Sequence, residues 1–285
     1  MSVTIEVIKA GALTTLQDLG RPGFAHLGIP RSGAADRASL KLANRLVGNA
    51  EGAAALECTL IGPSLRFDDE ALVAITGAEV SARLDGEEVA LNSAVGVAAG
   101  ALLELATTST GLRSYIAVRG GIDAEPMIGS RSSDLLSGLG PAPLKAGQTI
   151  ATEEPLGEVP AIGVAPVAPP ADVPLLQVVA GPRADWFADD ALALLAASSW
   201  EVSSDSNRSG VRLVGPELPR LRHDQLHSEG MAHGAIQVPA SGQPIILLAD
   251  HPTTGGYPVI AVVASADLDA AGQLRPGQKL RFAVS

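Results

Sequence analysis

The sequence predicts a mainly β protein with a few helices, built as two related halves. Three observations carry this. Short apolar runs bounded by Gly, Pro, Asp or Ser recur along the chain, a proline-rich stretch divides it, and the segments on either side repeat in order. The 285 residues exceed one typical domain, which favours two.

The repeat opens with "IEVIKAG" (Ile5–Gly11) and "LLQVVAGP" (Leu175–Pro182). Each half later carries a Gly-Pro before an apolar residue, "IGPSL" at Ile61–Leu65 and "VGPEL" at Val214–Leu218. A strand follows in each, "YIAVRGG" or "VIAVVAS", and each half closes on a turn and strand, "LKAGQTI" or "LRPGQKLRF". Between them "PLGEVPAIGVAPVAPPADVP" (Pro155–Pro174) holds six prolines and reads as a linker or an extended surface strap. The expected boundaries are residues 1–154, a linker at 155–174, and residues 175–285.

Runs such as "LVAIT", "GVAAGALLEL", "IILLA" and "VIAVVA" read as strands. Two helices are expected. "GAADRASLKLANRLVGN" sets Leu40, Ala43, Leu46 and Val47 on one face, with Ser32 as a cap and Gly48 as a stop. "RADWFADDALALLAASS" is the second, with Asp189 and Asp190 near its start, where the helix dipole favours negative charge.

Composition narrows the function. A net charge of -11 with scattered Lys and Arg repels phosphate backbones, and 3% aromatic content leaves little for base stacking. Nucleic acid is therefore not an expected partner. Cys58 is the only cysteine, so no intramolecular disulfide can form, and a reducing compartment is natural. No apolar run approaches the roughly 20 residues of a membrane helix, and the N-terminus lacks the basic start and apolar block of a signal peptide. A soluble, cytoplasmic protein is expected.

Several motifs could carry chemistry. "HDQLHSEGMAH" spaces His223, His227, Gly230 and His233 like the extended zinc-protease motif, but Asp224 replaces its glutamate and Pro216 and Pro219 leave little room for a helix. Loop histidines are the expected reading, with no metal site. "IGSRSSD" sets Ser130, Arg131 and Ser132 where backbone N–H groups and a guanidinium suit phosphate or carboxylate; a tight turn with a capping serine is the alternative. "SNRSGVRL" offers Arg208 and Arg212 around Gly210 on similar terms. "SEGMAHGAIQVPASGQPI" places Glu229 and Gln237 at a segment turning into a strand, and the Gln237 amide needs partners in an apolar setting. No G-x-x-x-x-G-K-[ST] is present.

"LADHPTTGGYPVI" (Leu248–Ile260) interrupts two of the most apolar stretches of the chain. It is either a long hairpin turn or a ligand-binding loop held by a rigid sheet. In the second case Gly255 and Gly256 let backbone approach a ligand, while Asp250, Thr254 and Tyr257 supply polar groups.

Taken together, "TLQDLGRPGFAHLGIPRSGAADRASLKLANRLVGN", "AALECTLIGPSLRF", "YIAVRGGID", "IGSRSSD", "RSGVRLVGPEL", the Ser228–Val263 stretch and "ADLDAAGQLRPGQKLRF" resemble the allophanate hydrolase subunit 2 family. This family is also called biotin-dependent carboxyltransferase-like, or the 5-oxoprolinase C-component family. The resemblance covers nearly the whole chain except the proline-rich segment. It implies two cyclophilin-like β-barrel domains and a complex with a subunit 1 homologue, the B component of oxoprolinase. Its motifs include Arg21, Asp36, Asn44 and Glu57 in the first blocks, besides Ser130, Arg131, Ser132, Arg208, Arg212, Glu229, Gln237, Asp250, Thr254, Gly255, Gly256 and Tyr257. "SGLGPAPLKAG" departs from a Gly-Gly-x-x-Gly-Arg stretch common in relatives, which puts an arginine contact there in question.

The resemblance leaves three settings. One is an ATP-dependent 5-oxoprolinase in which the chain acts with the A and B components, with ATP and Mg as the expected small-molecule requirements. A second is a carboxyltransferase subunit of a biotin-dependent urea carboxylase. Met1, Met127 and Met231 adjoin no lysine, so the chain itself carries no biotinylation motif. The third is a non-catalytic regulatory partner of a kinase inhibitor. The oxoprolinase setting is preferred. In it Asp250, Glu229 and Gln237 are the expected catalytic groups, while Arg131, Ser130, Ser132, Arg208, Arg212, Thr254, Gly255, Gly256 and Tyr257 bind substrate or phosphate.

Overall fold

The β-branched and alanine-rich runs form the strands of a computed structural model that describes residues 2–285. The chain divides into two compact units. Unit 1 holds the residues up to Arg21, Ser32–Asp134 and Gly138–Pro169; unit 2 holds Pro22–Arg31, Leu135–Ser137 and Pro170–Ser285.

Unit 1 contains β1 (Thr4–Lys9), β2 (Leu13–Gln17), helix α1 (Arg37–Leu46), β3 (Ala55–Thr59), β4 (Ser64–Phe67), β5 (Ala71–Leu84), β6 (Glu87–Val89), β7 (Ala94–Val97), β8 (Leu102–Val118) and β9 (Thr149–Ala151). They form a nine-stranded sheet in the order β2-β3-β8-β4-β1-β9, with β5 paired to β6, β7 and β8. The long strands β5 and β8 run antiparallel along nearly their full length, interrupted by irregularities between Gly77 and Ala82 that bend the pair. Inward residues such as Ile5, Val7, Leu65, Phe67, Ile75, Leu103 and Ile116 make the core.

Helix α1 presents Leu40, Ala43 and Leu46 to Tyr115, Ala117 and Ala74 of the sheet. Its cap is Asp36, not Ser32 as the sequence suggested: Asp36 Oδ1 accepts from the Ser39 amide at 2.9 Å. Ser32 lies a turn earlier in a left-handed conformation and donates to the Ser133 carbonyl.

Unit 2 contains β10 (Leu175–Ala180), helix α2 (Ala191–Ala197), β11 (Trp200–Val202), β12 (Gly210–Val214), β13 (Glu229–Gly230), β14 (Ala235–Gln237), β15 (Ile245–Leu247), β16 (Thr254–Gly255), β17 (Val259–Val263), helix α3 (Leu268–Gly272) and β18 (Lys279–Val284). Seven strands close a barrel in the order β10-β17-β14-β15-β12-β11-β18, while β13 and β16 pair as a separate two-stranded flap. Trp186, Leu195, Trp200, Ile236, Ile246, Ile260 and Phe282 are among the residues filling the barrel.

The second expected helix is split. Ala184–Trp186 makes one 3₁₀ turn, Phe187 returns to extended backbone, and only Ala191–Ala197 is α-helical. At the break Phe187 forms an isolated antiparallel bridge with Arg220 and the Ala188 amide donates to the Pro219 carbonyl, which takes this segment out of helical backbone. The opening and closing strands pair in both units, antiparallel for β1 and β9 but parallel for β10 and β18.

The proline-rich segment begins as a strap on unit 1. Ala94 donates to the Gly163 carbonyl, Ala165 donates to Asn92, and the Arg119 guanidinium donates to the Gly157 carbonyl at 2.6 Å. No helix among the described residues is long and apolar enough to cross a membrane.

Cys58 is sealed inside unit 1, and burial pushes its thiol up to about 12 from 9.0. Burial raises the Tyr115 phenol as well. Both groups are neutral when folded but ionise when unfolded in alkali. Their contribution to stability is therefore intact below about pH 9 and is lost as pH rises toward 12. Native Cys58 should resist thiol reagents that label it fully in denaturant, and Cys58→Ala should make the alkaline decline in urea midpoint shallower.

Candidate functional site

In unit 1 the family-pattern residues build two buried frames. The first surrounds the start of α1. Glu57 Oε2 accepts from the Ala35 amide at 2.9 Å and from the Tyr115 hydroxyl at 2.8 Å. The Tyr115 oxygen in turn accepts from the Asp36 amide at 2.8 Å. Arg113 Nε lies 3.4 Å from Glu57 Oε1, and this ion pair is almost fully buried. Asn44 donates to the Ala53 carbonyl at 2.8 Å and accepts from Asn49 at 3.1 Å, pinning the turn after α1. Asp36, Asn44 and Glu57 thus fix the helix to the sheet.

The second frame is centred on Asp18. Its Oδ1 accepts from Ser130 Oγ at 2.7 Å, Ser132 Oγ at 2.5 Å and the Gly20 amide at 2.7 Å; its Oδ2 accepts from the Arg131 amide at 2.7 Å. One carboxylate therefore draws the Ile128–Asp134 loop onto the end of β2. The Arg131 guanidinium turns away, donating to the Ala124 carbonyl at 2.7 Å and pairing with Glu153. Arg21 is buried, with Nη2 donating to the Ser132 carbonyl at 2.5 Å and Nε to Met127 at 3.3 Å. Gly140, within the divergent "SGLGPAPLKAG" stretch, holds a left-handed φ of 82° against this loop. A Cβ there would lie 2.0 Å from the Ser132 carbonyl oxygen.

In unit 2 the loop after β15 is anchored by a buried fork. Arg208 Nε donates to Asp250 Oδ2 and Nη2 to Oδ1, both at 2.9 Å. The Leu135 amide adds a third donor at 3.1 Å. Backbone bonds from Leu248 to Ser209 and from Asp250 to Arg208 complete the clamp. The loop then turns at His251, whose Nδ1 lies 2.8 Å from the Pro252 carbonyl, and enters β16.

Beyond the clamp, Thr254 and Gly255 pair with Gly230 and Glu229 to form the flap. Arg183 secures it through a bidentate pair with Glu229, whose carboxyl is held below the usual carboxylate range by those hydrogen bonds. Gln237 lies near the flap, donating to Met231 Sδ at 2.9 Å and to the Tyr257 carbonyl at 3.4 Å. Tyr257 itself is half exposed, and Arg212 points outward from β12.

Unit 2 therefore brings Arg208 with Asp250, and Gln237 with Gly255 and Tyr257. Asp250 holds the loop through Arg208, and Glu229 holds the flap through Arg183. The histidines do not gather. Residues 223–228 form no helix, His223 and His227 are exposed, and His233 stacks on His251 with ring centroids 6.2 Å apart. Among the described residues no cluster of three or more His, Cys, Asp or Glu could hold a metal ion. Asp18 and Arg183 escaped sequence reasoning. Asp18 stands three residues before Arg21 in "LQDLGR", but its serine partners lie more than a hundred residues away.

The chain matches the model of the carboxyltransferase domain, subdomain A and B, over residues 27–284. It is 39% identical to the C component of 5-oxoprolinase of Escherichia coli, covering 98% of this chain and 90% of that protein. It is 35% identical to urea amidolyase of Lachancea kluyveri, covering 97% of this chain but 17% of that protein. The crystal structure of TTHA0988 superposes with a TM-score of 0.90 at 36% identity, covering 98% of this chain and 55% of that one.

Removing one partner of the fork strands a buried charge. Arg208→Met should destabilise the protein by about 3–5 kcal/mol, whereas Arg208→Met combined with Asp250→Leu should recover most of that loss. Urea unfolding of the single and double variants checks this; a double variant no more stable than the single one would contradict it.

Proposed function

Since the chain belongs to the carboxyltransferase domain family, subdomain A and B, we propose that it is the C component of an ATP-dependent 5-oxoprolinase. The observation that carries this reading is the 39% identity to the Escherichia coli C component, running over almost all of both chains. In this reading it acts in the cytoplasm as part of a hetero-oligomer with the A and B components. The reaction converts 5-oxo-L-proline, ATP and water to L-glutamate, ADP and phosphate.

The chemistry suits the coupling. A lactam is resonance-stabilised and resists water. Transfer of the γ-phosphoryl group to the lactam oxygen activates the ring carbon, and water adds there. The C–N bond breaks as the ring nitrogen takes up a proton, and a second water hydrolyses the resulting acyl phosphate to glutamate and phosphate. Such a reaction depends on positioning and on donors aimed at developing negative charge. Unit 2 offers Gln237 at the end of β14, and its loop offers Thr254, Tyr257 and the backbone of Gly255 and Gly256. Asp250 and Arg208 hold that loop, and Glu229 holds its flap. In unit 1 Asp18 and Glu153 already take the Ser130, Ser132 and Arg131 donors, so in this reading those residues shape their loop rather than bind an anionic group. In this reading Mg accompanies ATP, held largely by its phosphates and water.

The urea amidolyase relative supports a second reading, carboxyl transfer from biotin carried on a separate protein. The two readings separate in one assay. The chain mixed with the A and B components should release ADP and glutamate only when 5-oxoproline is supplied, and the chain alone should release neither. Asp250→Asn should reduce that turnover by at least about tenfold while the complex still forms, because the loop loses its fork. ADP release independent of 5-oxoproline, or none in any mixture, would move the assignment to carboxyl transfer.

A further inference from the structure

Gln237 is poorly matched to its surroundings. It ends β14 at 5% exposure, with Ile245 and Val259 as its ladder partners. Alternation along the strand puts Ala235 on the same face, in an apolar cluster with Leu247 and Val259 that Met231 packs against. A carboxamide in such a place should have its donors and its acceptor satisfied. The Gln237 NH2 reaches only a thioether sulfur, a weak acceptor, and one carbonyl at 3.4 Å. Among the described residues its Oε1 has no hydrogen-bond partner, yet it is not sealed from the surface.

The Tyr257 carbonyl favours this orientation of the amide. Turning it over would set Oε1 against the Tyr257 carbonyl, lone pair to lone pair. The β14–β17 ladder is irregular beside it, with one extra residue of β17 opposite the step from Ile236 to Gln237. Gly255 leaves it room, since a Cβ there would lie 2.6 Å from Gln237 Nε2. The other two candidate acceptors nearby in the sequence motifs, Asp250 and Glu229, are committed to Arg208 and Arg183.

We infer that Gln237 Oε1 accepts the ring N–H of a lactam substrate, so that Gln237 determines specificity for nitrogen over oxygen at that ring position. The inference rests on the oxoprolinase reading and deepens it. A neutral acceptor fits this role because 5-oxoproline carries a carboxylate that an anionic acceptor would repel. Replacing the N–H by a ring oxygen would place two lone-pair-bearing atoms face to face, and a site built for a hydrogen bond rejects such an analogue strongly.

The test uses the chain assembled with the A and B components. ATP hydrolysis supported by 5-oxoproline is compared with that supported by its lactone counterpart, as a ratio of kcat/KM values. The change in that ratio between variants cancels the lactone's own reactivity. Gln237→Met should shrink the lactam preference by about 10–100-fold. Gln237→Glu, which keeps an acceptor, should retain the preference while raising KM for both compounds. If Gln237→Met abolishes turnover, the same ratio is read from calorimetric binding of the two compounds to the assembled variant. An unchanged ratio in Gln237→Met alongside active wild-type enzyme would overturn this assignment alone. Absence of 5-oxoproline-dependent hydrolysis in the wild-type assembly would overturn the oxoprolinase reading and this assignment with it.

Discussion

The buried fork between Arg208 and Asp250 is the constraint on which the unit 2 site depends. Burying a guanidinium and a carboxylate is costly, and only close two-point geometry offsets the loss of water. Both bonds here are 2.9 Å, and the Leu135 amide supplies a third donor to the carboxylate. The pair fixes where β12 begins and where the Leu248–Tyr257 loop leaves β15. From there the chain runs into the flap strand β16 and then to the Tyr257 carbonyl, which orients the Gln237 amide. A displaced Asp250 would carry the whole loop with it.

Unit 1 uses the same device with different partners. There the carboxylate of Asp18 accepts two hydroxyls and two amides, and the serines of the "GSRS" motif serve as donors to it. In both units a buried carboxylate gathers a loop onto a strand end. This places much of the motif chemistry in support of the loops. Under the proposed function it leaves the less conspicuous groups, a neutral amide and backbone at glycines, as those that would face a ligand.

Much of the β architecture was legible because strand signals are local: apolar runs end at Gly, Pro or Asp. The α1 helix was legible from its Leu40, Ala43, Leu46 stripe, but its cap was not, because both Ser32 and Asp36 satisfy the sequence rule. Only the left-handed backbone of Ser32 decides between them. The second helix was overextended because Phe187 and Ala188 pair with Arg220 and Pro219, more than thirty residues away, which no local pattern reports. The resemblance located Asp250, Arg208 and Gln237, yet not who pairs with whom. Arg208 and Asp250 are 42 residues apart, and Arg183 and Glu229 are 46 apart, so no local pattern reports either pair.

The most direct measurement of the anchoring role is hydrogen–deuterium exchange on Arg208→Lys, which keeps the charge but loses the fork. The Leu248, Asp250 and His251 amides, bonded in turn to Ser209, Arg208 and Leu248, should exchange about tenfold faster or more than in the unsubstituted protein, while amides of β14 and β17 keep their rates. Loop amides that exchange at unchanged rates in Arg208→Lys would contradict the claim that this pair holds the site.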